Sequence, residues 1–240
     1  MRNLAMVPTL LEAAKFQVIR RRPTPHGGLL VSAADLRQYR HSHASQCALV
    51  LVLDHSCRSG WDAGPALAPY LRWSYRENAA VTVIEFGHRE ASNELAADRY
   101  RAASLLDPRI VASLRRHPGL ASPLAHALDL AVQELHRLMR RGRAGLPEAF
   151  LVVMTDGRGN VPLNASVLGR PPTGVSRQGV TDSLRIAALA RRFTRVHPIV
   201  IARDGDLHPE LPFELAEALG GRFIAVPPHR ASSSVTGQRQ

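Results

Sequence analysis

Ala48-Leu49-Val50-Leu51-Val52-Leu53-Asp54 is an unbroken apolar run that ends in a carboxylate. A strand buried on both faces of a parallel sheet reads this way, because neither face alternates with polar side chains. Similar runs stand at Ala80–Phe86, Ala149–Thr155, Val196–Ile201 and Arg222–Val226, so five such strands are predicted.

Helical patterns separate them. Ser122 and Pro123 provide an N-cap and a first-turn proline ahead of Leu124, Ala127, Leu128, Ala131, Val132, Leu135 and Leu138, one apolar stripe at helical spacing. Asp107-Pro108 opens a second helix that carries Ile110, Val111 and Leu114 inward, and Thr181 or Asp182 opens a third with Ile186, Leu189, Ala190 and Phe193. A fourth carries Leu211, Leu215, Ala218 and Leu219 and stops at Gly220-Gly221. Strands alternating with helices predict an α/β fold with a doubly wound, mainly parallel sheet, helices on both faces, and ligands gathered at the carboxyl ends of the strands.

The flanks read differently. Residues 1–46 are basic, and Arg20-Arg21-Arg22-Pro23, Pro25 and Gly27-Gly28 predict an irregular arm or linker, with Leu30–Arg37 as a short strand and capped turn. Residues 47–228 form the predicted domain. Residues 229–240, with Ser232-Ser233-Ser234 and no apolar pattern, predict a disordered tail.

The chain of 240 residues suits one domain. Its net charge of +11 is almost wholly arginine, since Lys15 is the only lysine. Such a surplus attracts polyanions, and it also follows from the codon usage of a high-GC genome; the two readings stand about even. Nucleic acid is disfavoured as a partner, because the few aromatic residues form no stacking array. Cys47 and Cys57 provide neither a disulfide framework nor a zinc set. No apolar run approaches roughly 18 residues and no leader pattern is evident, so the reading is a cytoplasmic protein without membrane insertion.

Three loops carry the chemistry. Asp54-His55-Ser56-Cys57-Arg58-Ser59-Gly60 follows the first strand, Ala121-Ser122-Pro123-Leu124 opens the capped helix, and Thr155-Asp156-Gly157-Arg158-Gly159-Asn160 follows a later strand. At the carboxyl edge of a doubly wound sheet they can converge, placing Asp54, Ser56, Ser122 and Asp156 around one point. Two carboxylates with hydroxyls make a hard-oxygen set suited to Mg²⁺ rather than zinc or copper. Taken singly, each has a blander reading: a strand-terminal aspartate caps a loop, and Ser122 caps its helix.

This arrangement resembles the metal-ion-dependent adhesion site of von Willebrand factor A domains. More narrowly, Val31–Arg37, the strand into Asp54, Ser122–Leu128 and Met154-Thr155-Asp156-Gly157-Arg158-Gly159-Asn160-Val161-Pro162-Leu163 resemble the C-terminal part of the magnesium chelatase D subunit. The resemblance implies a non-catalytic interaction subunit working with a ring-forming AAA+ ATPase and a large porphyrin-binding subunit, and it implies Mg²⁺ at the site. The family's longer subunit has an AAA+-like region and an acidic, proline-rich linker, neither of which occurs in this sequence. No GxxxxGK(S/T) phosphate loop occurs either, so the expectation is a subunit that borrows its ATPase. The alternative is an A-domain adaptor for another AAA+ ATPase, without tetrapyrrole chemistry.

One departure bears on the metal. The family's DxSxS places a second serine where this chain has Arg58, with Ser59 displaced by one residue. A guanidinium cannot ligate a cation and opposes one electrostatically, so weak or absent Mg²⁺ binding is expected unless Ser59 supplies the hydroxyl. His55 and Cys57 read as ordinary loop residues, as do His41 and His43. Arg137, Arg140, Arg141 and Arg143 read as a solvated helix end meeting the dipole. The glycine- and proline-rich stretch from Asn160 to Gly179 reads as a contact loop.

Overall fold

The computed structural model describes residues 5–20, 28–37, 47–57, 64–102, 104–141, 148–171, 174 and 177–227. The chain divides into two compact units, Met1–Ala44 and Ser45–Gln240.

Where an irregular arm was expected, the first unit contains a helix, α1 (Met6–Arg20). The breakers Pro23, Pro25 and Gly27 all follow its last residue, and Pro8 sits in the first turn, where no intrahelical N–H bond is lost. The expected strand within Leu30–Arg37 is absent. The segment instead makes a 3-10 turn, Ala33–Asp35, held by Asp35 accepting from the Ser32 N–H at 2.8 Å. The helix and the turn are tied together by the Arg20 guanidinium on the buried Asp35 and by the Gln17 amide on the Leu30 carbonyl at 2.7 Å.

The second unit is a six-stranded sheet in the order β3-β2-β1-β4-β5-β6. Its strands are β1 (Cys47–Asp54), β2 (Ala80–Phe86), β3 (Asp98–Ala102), β4 (Glu148–Met154), β5 (Val196–Arg203) and β6 (Arg222–Val226). All neighbours pair in parallel except β2 and β3. The five apolar runs are the five parallel strands, and the doubly wound α/β class expected from the sequence is the class observed. The sixth strand, Asp98-Arg99-Tyr100-Arg101-Ala102, is an antiparallel edge whose charged residues hide it from any search for apolar runs.

Alternation along the strands sorts the core into two layers. Ala48, Val50 and Val52 face one layer with Leu124, Leu128, Leu135, Ile186, Ala190, Leu215 and Leu219. That layer is built by α4 (Leu124–Arg141), α6 (Gln178–Ala190) and α7 (Glu210–Leu219). Leu49, Leu51 and Leu53 face the other with Leu67 of α2 (Gly64–Arg76) and Ile110 of α3 (Pro108–Ser113). A one-residue slip of β1 would exchange these two sets, so the register is strongly specified.

The helix signals were largely accurate. Asp107 caps α3 by accepting from the Arg109 N–H at 3.0 Å, although Val111 points outward and only Ile110 is fully buried. α7 ends at Gly220, whose φ of 68° is the left-handed conformation that glycine adopts without strain. α6 starts at Gln178, earlier than Thr181 or Asp182, because the Asp182 carboxylate is turned to the Leu163 N–H at 3.0 Å and the Gln178 amide at 2.8 Å rather than capping. The expected contact loop between Asn160 and Gly179 holds a short helix, α5 (Leu163–Leu168), closed by Gly169. His41, His43, Arg143 and residues 229–240 lie outside the described residues.

Candidate metal centre

The strand order reverses at β1, where the chain proceeds to β2 on one side and β4 on the other. A crevice opens outside the carboxyl ends of the strands at such a point. Asp54 ends β1, and Thr155-Asp156 follow β4 directly.

The structure brings together all four described residues expected at the site. Asp54 is fully buried. Its Oδ1 accepts from the Ser56 hydroxyl at 2.6 Å and the Ser56 N–H at 3.0 Å, and its Oδ2 accepts from the Ser122 hydroxyl at 3.1 Å. A fifth residue, Thr155, joins them. Its hydroxyl donates to the same Oδ2 at 2.8 Å and accepts from the Gly157 N–H at 3.1 Å. The signal for it was present: a hydroxyl residue one position before Asp156, at the end of a strand adjacent to β1.

Among the described residues every hydrogen bond to the Asp54 carboxylate comes from a neutral group, and the charge of a second carboxylate, Asp156, acts on it. Burial, with the charge of Asp156 added, pushes the Asp54 carboxyl up to about 6. Among the described residues no cationic side chain contacts this buried acid.

The backbone around it is cut close. Gly87, after β2, has φ of 70°, and a Cβ there would lie 3.0 Å from the Ser56 nitrogen and 3.1 Å from Asp54 Oδ1. Ser122 is held from the other side, its N–H donating to Asn160 Oδ1 at 2.6 Å while the Asn160 amide donates to the Leu120 carbonyl at 2.9 Å. Ser122 therefore turns its hydroxyl to Asp54 rather than to its own helix.

Asp156 is nearly buried and has a different environment. The Arg158 N–H donates to its Oδ1 at 2.9 Å, and the Arg158 guanidinium donates to its Oδ2 through Nε at 2.7 Å and Nη2 at 2.6 Å. The arginine expected to oppose a cation, Arg58, lies outside the described residues, as does Ser59. Arg158 is the arginine that the structure places on a site carboxylate. The Cys57 thiol donates to the Asp54 carbonyl at 3.3 Å, and burial, with the charges of Asp54 and Asp156, pushes it well above its ordinary range.

His55, read as an ordinary loop residue, is fully buried with Nε2 3.5 Å from Glu85 Oε2. Arg116 holds the other Glu85 oxygen at 3.2 Å. Burial works to raise the Glu85 carboxyl, but His55, Ser113 and Arg116 outweigh it and hold it down to about 2. This network braces the loop beneath the site.

The donor set fits a hard divalent cation: two buried carboxylates and three hydroxyls, with a glycine where a side chain would crowd them. Among the described residues no three His, Cys, Asp or Glu side chains gather as a metal cluster, so such a centre depends on the hydroxyls and on solvent.

The magnesium-chelatase 60 kDa subunit of Cereibacter sphaeroides is 31% identical over 234 residues, which cover 94% of this chain. The chain is similar to magnesium-chelatase subunits along nearly all its length. The 67 kDa magnesium-chelatase subunit of Chlorobaculum parvum is 27% identical over 246 residues, 97% of the chain. The chain spans 38% of the length of these magnesium-chelatase subunits. No family model matches it. Among solved structures, the SpRpn10 VWA domain aligns with 77% of this chain and 89% of its own at a TM-score of 0.44 and 9% identity. A von Willebrand factor type A protein from Catenulispora acidiphila aligns with 75% of this chain and 38% of its own at 0.38 and 13%. Among the described residues no helix is long and apolar enough to cross a membrane.

Proposed function

We propose that the second unit is a von Willebrand factor A-type interaction module of a magnesium- or cobalt-chelatase-like complex. It holds Mg²⁺ through Asp54, Ser56, Ser122 and Asp156, with Thr155 orienting Asp54. The observation that carries this reading is the convergence of the Ser56, Ser122 and Thr155 hydroxyls on the buried Asp54 carboxylate, with the Asp156 charge acting on it, in a chain similar to magnesium-chelatase subunits.

A cation there would supply the missing positive charge and keep a coordination position open to solvent. A carboxylate of a partner protein can fill that position, so metal at the site makes the surface selective for acidic groups. The rim suits such docking: Leu120 and Leu207 are each 85% exposed on loops at this edge of the sheet. Exposed leucines beside a charged centre provide the apolar surround that shields a central contact from water.

In this reading the partner is an AAA+ ATPase, with a large chelatase subunit in the same assembly, and the protein links ATP hydrolysis to metal insertion into a tetrapyrrole in the cytoplasm. It performs no catalysis itself. The second reading, an adaptor for a different AAA+ ATPase, uses the same metal-centred contact and differs only in the partner. Capture of partners on the tagged chain, with Mg²⁺ and then with EDTA, separates the two. An AAA+ ATPase and a large chelatase subunit, both released by EDTA, are expected. Recovery of an unrelated ATPase would move the weight to the adaptor reading, and capture indifferent to EDTA would remove the metal from the account.

A further inference from the structure

Arg158 is positioned to control the centre. Its backbone N–H holds Asp156 Oδ1 and its guanidinium holds Oδ2, so both oxygens of the second site carboxylate are engaged by one residue. The two contacts differ in permanence. The N–H bond is a local turn that survives whatever the side chain does. The guanidinium is on a long side chain that is 50% exposed, against 4% for Asp156, so its head can turn to solvent once another positive charge takes its place at the carboxylate.

The charges in this region define the role further. Asp54 takes hydrogen bonds from neutral groups only, and Asp206, whose charge also acts on Arg158, is paired with Arg203 at 2.8 Å. Among the described residues Arg158 is the cation in contact with a site carboxylate. A divalent cation held between Asp54 and Asp156 would compete with the guanidinium for the Asp156 charge, because the two positive charges repel.

We propose that Arg158 is a tethered counter-ion of Asp156 which a divalent cation displaces, and that the displaced guanidinium then receives a carboxylate of the partner. This rests on the metal-centre reading above. Displacement leaves a half-exposed forked donor at the carboxyl edge of the sheet, free to take a new acceptor. A planar guanidinium binds a carboxylate through two parallel N–H bonds. The partner group is thereby read twice, once by the metal and once by Arg158, and only after metal has bound.

The test is Mn²⁺ binding to the full chain and to its Arg158→Gln and Arg158→Lys variants, followed by electron paramagnetic resonance with Mg²⁺ as competitor. Thermal melts establish that all three are folded. Arg158→Gln is expected to tighten Mn²⁺ about tenfold by removing the competing charge, and Arg158→Lys to change it less. At saturating Mg²⁺ the same Gln variant is expected to capture less of the ATPase partner, an opposite shift that a purely structural residue would not give. Equal Mn²⁺ affinity in all three proteins would overturn the counter-ion role, and unchanged capture at saturating Mg²⁺ would overturn the receiving role. Absence of Mn²⁺ binding in every variant would instead overturn the metal-centre reading itself.

Discussion

Two carboxylates, Asp54 and Glu134, are both completely buried in this domain, and their environments are opposites. Glu134 on α4 accepts from Arg101 at 3.1 and 3.0 Å, from the Arg137 Nε at 2.9 Å, and from the Thr82 hydroxyl at 3.1 Å. Burial works to raise its carboxyl, but Arg137 and Arg101 outweigh that and hold it down to about 2. Among the described residues Asp54 has three hydroxyls, no cation and the charge of a second carboxylate, and its carboxyl rises to about 6. A buried acid already furnished with arginines fastens structure, here the edge strand β3 to α4. A buried acid without an arginine partner among the described residues is a candidate functional group.

The comparison breaks most visibly on stability. Glu134→Ala strands Arg101 and Arg137 around an emptied acceptor and is expected to cost about 3 to 5 kcal/mol in urea unfolding. Asp54→Asn has the opposite sign. Without metal near neutral pH, removal of a charge held about two units above its ordinary value should stabilise the fold by about 2 kcal/mol. A loss of stability in Asp54→Asn would contradict the charge assigned to Asp54.

Acidity sharpens the same contrast. The folded value of Glu134 lies below its ordinary 4.5, so its contribution is complete above that pH and is lost as pH falls toward about 2. Asp54 lies above its ordinary 3.8, so its contribution is present in acid and is lost as pH rises through about 6. Unfolding followed between pH 4 and 7 should show a decline with rising pH that disappears in Asp54→Asn, whereas Glu134→Gln alters only the acid limb.

Smaller changes probe the two surroundings. Gly87→Ala forces an unfavourable φ and presses a methyl on Asp54 and Ser56, for an expected loss of about 1.5 kcal/mol. Arg101→Lys keeps the charge beside Glu134 but replaces a two-pronged contact with one, and about 1 kcal/mol is expected. Chemical denaturation reads both.

The difference between the two acids also explains what the sequence revealed. Asp54 and Asp156 end apolar strands whose burial is evident from composition alone, and topology then brings them together with Ser122. Glu134 looks like an ordinary exposed helix residue, since its partners Arg101 and Thr82 arrive from β3 and β2, and β3 was not legible among its charges. Thr155 escaped notice because the apolar run absorbed it as a strand residue. The grip of Arg158 on Asp156 depends on a side-chain rotamer, which residue spacing does not encode. α1 was hidden for a simpler reason: the first breaker that argued against it, Pro23, stands three residues beyond its end.

The central claim is that the charge missing at Asp54 is a divalent cation. Calorimetric titration of Mg²⁺ into the EDTA-stripped full chain near neutral pH tests it most directly. The account predicts one saturable site per chain in the unaltered protein and in Glu134→Gln, and none in Asp54→Asn. Binding that persists in Asp54→Asn, or an unaltered protein that takes up no cation, would contradict it.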